Sequence, residues 1–161
     1  MIKEFPNLEE RGYQKEFLRD WWSQNKLFRG KRQVGKSTLM LCEARRFSEC
    51  GFDILFLSPS KQMSKILQKQ YQELFGERPI FDFGNYTALG KGNFRGFRKD
   101  VVILDEFQNI SLETYNHEIA PMNPKFLRAT ACISDMNSVH YLRDAGTKGE
   151  IALFDSIYEE I

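Results

Sequence analysis

The chain has 161 residues, 42% of them hydrophobic and 14% aromatic, enough for one buried core and too many for disorder as the main state. Twenty-three Lys and Arg stand against twenty-two Asp and Glu, a formal net charge of +1, so any nucleic-acid contact must rest on local clusters rather than on bulk charge. The apolar runs are too short to span a membrane, and the N-terminal MIKEFPNLEE lacks the apolar stretch of a signal peptide. Cys42, Cys50 and Cys132 show no metal-ligand spacing and read as reduced thiols of an intracellular protein.

In chain order, Tyr13, Phe17 and Trp21 recur every four residues and predict a helix over residues 9–25. A short strand over 26–29 leads into a glycine-bounded loop and a helix from Lys36 to about Cys50, with Leu39, Leu41, Cys42 and Phe47 as core positions. Residues 53–58 (DILFLS), ended by Pro59, read as a buried parallel strand. Ser60 is placed to cap the next helix, residues 61–75, with Met63, Ile66 and Leu67 close to one face. Residues 80–89 suggest one or two short strands broken by Gly84, and 91–100 a loop. Residues 101–105 predict the most buried strand, 112–119 a helix ending before Pro121, and 126–134 a further strand. In the tail from Thr147, residues Ile151, Phe154, Ile157, Tyr158 and Ile161 would line one face of a helix. The alternation predicts an α/β fold of three layers: a mostly parallel sheet of about five strands between helices.

Two motifs carry chemistry. Gly30-Lys31-Arg32-Gln33-Val34-Gly35-Lys36-Ser37 matches G-x-x-x-x-G-K-[ST], with Thr38 next in the chain. In such a loop backbone N–H groups curl around phosphates, the lysine reaches the β- and γ-phosphates, and the hydroxyl of Ser37 holds Mg²⁺ at a helix N-terminus. Val101-Val102-Ile103-Leu104 runs into Asp105 and Glu106. A buried strand ending in these acids would present Asp105 to Mg²⁺ and Glu106 to an attacking water. The second carboxylate favours a hydrolase over a small-molecule kinase.

With these residues placed, the sequence from about Tyr13 to Ser134 resembles the ATPase domain of the large terminase subunit, the DNA-packaging motor of tailed phages and related viruses. That family consists of P-loop NTPases of the additional-strand, catalytic-glutamate class. The resemblance lies in Arg32 within the phosphate loop, Arg11-Gly12-Tyr13-Gln14 upstream, Arg95-Gly96 before the acidic strand, and Ala129-Thr130-Ala131 on the strand after it. It implies that Gln14 reads adenine, that Arg32 touches the γ-phosphate, and that Thr130 senses its loss. It also implies that the Thr130 strand lies between the phosphate-loop strand and the Asp105 strand. The implied partners are ATP, Mg²⁺, double-stranded DNA, a portal or procapsid, and a small terminase subunit. The motor would be a homo-oligomeric ring in the host cell cytoplasm, off any membrane.

Each of these residues also has a plain structural reading: a core aromatic beside a solvated Gln14, a loop charge at Arg32, a β-branched strand residue at Thr130. Arg128 is a candidate arginine finger in trans or an ordinary surface arginine. Residues 91–99 carry four positive charges and two phenylalanines without an acid, as a DNA grip or as a solvated loop; Lys61, Lys65 and Lys69 line one side of a helix. The chain is expected to be one ATPase domain. An adenine-binding helix region (1–25) would precede a nucleotide-binding core (26–134). A tail (135–161) would begin a linker subdomain, with no room for the nuclease domain of large terminases. Two alternatives stand beside the motor: the first half of a superfamily-two helicase or related DNA-dependent ATPase, and a regulatory switch that binds ATP without meaningful hydrolysis. Gln108 departs from the histidine or aspartate that many helicases carry after Asp-Glu-x.

Overall fold

The computed structural model describes residues 12–20, 23–30, 35–89, 98–132 and 154–160. Along them run α1 (Gly12–Arg19), β1 (Asn25–Gly30), α2 (Lys36–Glu49), β2 (Ile54–Ser58), α3 (Lys61–Phe75) and β3 (Asp82–Asn85). A single turn, α4 (Tyr86–Leu89), then leads to β4 (Val101–Leu104), α5 (Leu112–Thr114), β5 (Phe126–Cys132) and β6 (Ser156–Glu160). The six strands form one sheet in the order β3-β2-β4-β5-β1-β6, with every neighbouring pair parallel. The sheet buries both faces, as parallel sheets do, so β2, apolar except for Ser58, and β4 are fully buried. One face packs Phe28, Phe56, Val101 and Ile103 against Phe17, Leu39, Phe47 and Leu67 of the first three helices. The other packs Leu57, Leu104 and Ala129 against Leu89, Phe107, Ile119 and Phe154.

Local signals explain where elements start and stop. Ser60 accepts a hydrogen bond from the Met63 amide at 3.1 Å and opens α3, and Gly76, at φ 70°, closes it in the left-handed conformation that glycine adopts freely. The buried residues of α3 are Ser64, Leu67 and Tyr71, whereas Met63 and Ile66 are exposed, so the inward face lies one step round from the expected one. α1 ends at Arg19, short of the expected Asn25, because the Asp20 carboxylate accepts both the Ser23 amide (3.1 Å) and its hydroxyl (2.7 Å) and turns the chain. Gly84 lies inside β3 instead of breaking it, its carbonyl accepting the Ser64 hydroxyl at 2.7 Å. The stretch before β5 is a helix of mixed pitch, with a π turn at Tyr115–Ile119 and a 3₁₀ turn at Ala120–Met122 that takes up Pro121.

Within the tail, residues 156–160 form a strand and not a helix. Ser156–Glu160 pairs in parallel with β1 and supplies a sixth strand beyond the five expected. A short apolar run suits either period. Here the open edge of β1 decides, since pairing satisfies its outward amides and carbonyls. Tyr158 packs edge-on against Phe17, 5.5 Å between ring centroids, and its hydroxyl donates to Asp20 at 2.7 Å.

Candidate nucleotide site

Parallel strands deliver their C-terminal ends to one rim of the sheet, where ligands of open α/β sheets bind. Three of them matter here: β1 ends at Gly30, β4 runs into Asp105 and Glu106, and β5 lies between them carrying Thr130. The insertion of the Thr130 strand is the arrangement that the resemblance implied. The β4–β5 register pairs Leu104 with Ala129, so one further step sets Asp105 level with Thr130.

The side chains meet as this register requires. The Asp105 carboxylate is buried, 1% exposed, and accepts the Thr130 hydroxyl at 2.8 Å on one oxygen and the Ser37 hydroxyl at 3.0 Å on the other. Ser37 lies in the first turn of α2, which Gly35 precedes at φ 85°; the left-handed turn there suits glycine. Lys36 and Thr38 share that first turn, and Lys36 is buried. Burial pushes the Asp105 carboxyl up to about 6, with the Glu106 charge adding to it; hydrogen bonds from Thr130 and Ser37 and the Lys36 charge act the other way.

Glu106 is held at both its amide and its carboxylate. Its backbone takes the left-handed conformation, φ 57° and ψ 57°, which costs a non-glycine residue on the order of 1–3 kcal/mol and concentrates at functional sites. Its amide donates to Thr130 Oγ1 at 3.0 Å. Its carboxylate accepts from Gln108 Nε2, and Gln108 Oε1 accepts the Cys132 amide at 3.3 Å. Strand β5 therefore meets both acids, through Thr130 and through Gln108. The Tyr86 hydroxyl donates to the Asp105 carbonyl from the other side. Sequence patterning assigns neither Gln108 nor Tyr86 to the site; a polar residue two positions after the acid pair is the only available sign of the first.

The expected site residues fall into three groups. Ser37, Asp105, Glu106 and Thr130 form one hydrogen-bonded chain, and Gly30, Gly35, Lys36 and Thr38 lie in the strand end and helix start that frame it. Gln14 falls within α1. Lys31, Arg32, Gln33 and Val34 lie outside the described residues, as do Arg95 and Gly96.

Two basic residues are corrected. Arg128 is fully buried, its guanidinium 5.1 and 5.3 Å from the ring centroids of Phe47 and Phe126, and it donates to the carbonyls of Ser23, Gln24 and Leu127. It is neither a surface arginine nor free to reach a neighbour's site. Lys99, one of the charges of the basic stretch, turns inward and binds Asp82 at 2.8 Å and Asp53 at 3.2 Å. Lys61, Lys65 and Lys69 are exposed along α3.

This sheet order and rim geometry define an α/β fold of the kind shared by P-loop NTPase and helicase cores. Among solved structures the chain is similar to the UvsW helicase from bacteriophage T4, with a TM-score of 0.73 and 13% identity over 93% of this chain and 60% of that one. It is similar to the large terminase ATPase domain of Thermus phage P74-26, with a TM-score of 0.63 and 18% identity over 79% and 67% of the two chains. It is also similar to a Sulfolobus solfataricus SWI2/SNF2 ATPase core in complex with double-stranded DNA, with a TM-score of 0.63 and 12% identity over 88% and 37%. The chain thus spans 60% of the T4 helicase that it matches. No family model matches the sequence, and no curated protein matches it. Among the described residues no helix is long and apolar enough to cross a membrane.

Proposed function

We propose that the chain is a single ATP-hydrolysing motor domain that acts on double-stranded DNA, of the kind that packages a viral genome into a procapsid. The observation that carries this reading is the chain Ser37–Asp105–Thr130–Glu106, which joins a phosphate-loop hydroxyl to two acids through the strand between them. A hydroxyl and a carboxylate converging within hydrogen-bond distance form a hard oxygen donor set that fits Mg²⁺. Bound there by Ser37 and Asp105, the ion would offset charge on the β- and γ-phosphates.

The chain's own residues do the rest. Backbone N–H groups of the loop from Gly30 through Lys31, Arg32, Gln33 and Val34 to Gly35 cradle the phosphates, Lys36 and Arg32 offset their charge, and Thr38 extends the helix start. Gln14 recognises adenine through its amide. Glu106 orients the attacking water and takes its proton as the bond from the γ-phosphorus to the leaving ADP oxygen breaks, giving ADP and phosphate. Thr130 touches Asp105 and the Glu106 backbone, so a change at the γ-phosphate reaches β5 and the chain beyond it. In a homo-oligomeric ring a neighbour would supply an arginine; Arg128 is excluded by its burial. The portal or procapsid and a small subunit are the partners in that setting, in the host cytoplasm.

The packaging reading draws on Arg32, Arg95-Gly96 and Gln108; the extensive likeness to a phage helicase favours a second, the first motor half of a DNA-dependent helicase-like ATPase. ATP hydrolysis measured with double-stranded DNA, with and without procapsids, separates them. Turnover that rises only when procapsids are present supports packaging. Strand displacement by the full-length protein without procapsids supports the second reading, and ATP bound but never hydrolysed contradicts both.

A further inference from the structure

Towards the opposite ends of the same strands lies a second buried cluster. Glu43, on α2, is 0% exposed, and three cations converge on its carboxylate. Lys26 of β1 lies 2.9 Å from one oxygen and Arg128 of β5 3.6 Å from the same one, while Arg46 binds the other. The β1–β5 register sets Lys26 opposite Arg128. Other donors of these cations go to main-chain carbonyls. Lys26 Nζ donates to Phe17 at 2.5 Å and Asp20 at 2.6 Å, Arg46 to Leu18, and Arg128 to Ser23 and Gln24 at 3.0 Å each. The last carbonyls of α1 and the turn into β1 are thus held by cations that Glu43 gathers. Cations suit the negative end of a helix, whose final carbonyls lack partners within it.

Stability alone does not account for this arrangement, since apolar replacement of a buried ion cluster is often neutral or favourable. The cluster's contribution is placement. α1 carries Tyr13 and Gln14, and β1 runs directly towards the phosphate loop. We infer that Glu43 is a positioning residue for the base-binding end of the nucleotide site, acting through Lys26, Arg46 and Arg128 to fix where α1 stands relative to that loop. This inference rests on the ATP reading given above.

The test is calorimetric binding of MgATP, MgGTP and Mg²⁺ with inorganic tripolyphosphate to the wild-type chain and to Glu43→Gln and Lys26→Met. Both variants are expected to weaken ATP binding roughly tenfold and to narrow the preference for ATP over GTP, with tripolyphosphate binding within about twofold of wild type. Lys26→Met leaves Glu43 paired with two arginines, so it decides the matter if Glu43→Gln fails to fold. Amide exchange in Lys26→Met should quicken at residues 17–20 and stay slow in β4 and β5. An unchanged ATP-to-GTP ratio in a folded variant overturns the inference while the ATP reading stands. Equal binding of ATP and GTP by the wild type overturns base recognition and the inference together.

Discussion

Strand β5 carries two buried polar clusters on the same face, and their charge arrangements are opposite. At Thr130 the strand meets Asp105, whose carboxylate accepts hydrogen bonds from two neutral hydroxyls and whose acidity is weakened by burial. At Arg128, two residues earlier, it meets Glu43, on which three cations converge. The lower cluster surrounds its acid with cations whose further donors hold main-chain carbonyls, so it can serve as architecture. The upper one keeps an acid buried among neutral donors beside a strained Glu106, an arrangement that a bound cation would complete.

The comparison breaks most sharply at Glu106 and Glu43. Glu106→Gln should reduce ATP turnover by about 10²–10⁴-fold in a steady-state assay and leave nucleotide binding and melting temperature near wild type. Turnover at the wild-type rate removes Glu106 from the chemistry. Glu43→Gln should act the other way round, on stability first. Uncompensated cations in the core cost about 3–5 kcal/mol in urea unfolding, against no measurable cost for Glu106→Gln.

A smaller effect, of opposite sign, belongs to Asp105. Its carboxyl titrates near 6 in the folded chain against 3.8 ordinarily, so its contribution to stability is fully present below the lower value and lost as pH rises through 6. Asp105→Asn should therefore stabilise the magnesium-free protein at pH 7.5, by on the order of 2–3 kcal/mol, with the two curves converging near pH 4. Added Mg²⁺ and ATP should raise the melting temperature of the wild type and not of the variant. Thr130→Val, the mildest change, removes one donor to Asp105 and the acceptor of the Glu106 amide, and should cost about 1–2 kcal/mol of stability with a larger loss in turnover than in ATP affinity.

The upper cluster is legible in the sequence because its chemistry is local: a glycine-bounded loop before a helix, and four apolar residues before two acids. The pairing of Thr130 with Asp105 is legible only through resemblance, since it depends on strand order. The lower cluster escapes a reading of the sequence, although Glu43 stands four residues from both Leu39 and Phe47 on the inner face of α2. A charged residue on an apolar stripe is the available sign. Its cations come from strands whose register no periodicity reveals, which is also why Arg128 reads as a surface residue in the sequence and is buried in the fold. The tail reads as a helix because a few apolar residues fit both periods, and the open edge of β1 that makes it a strand is a tertiary fact.

The central claim is that a nucleoside triphosphate lies along the start of α2 with its metal ion between Ser37 and Asp105. A crystal structure with Mg²⁺ and a non-hydrolysable ATP analogue tests it most directly. The account predicts a triphosphate along the start of α2, the ion bound to Ser37 and facing Asp105, and Glu106 turned towards the γ-phosphate. A nucleotide bound elsewhere, or Ser37 and Asp105 still bonded to each other with no ion between them, would contradict it.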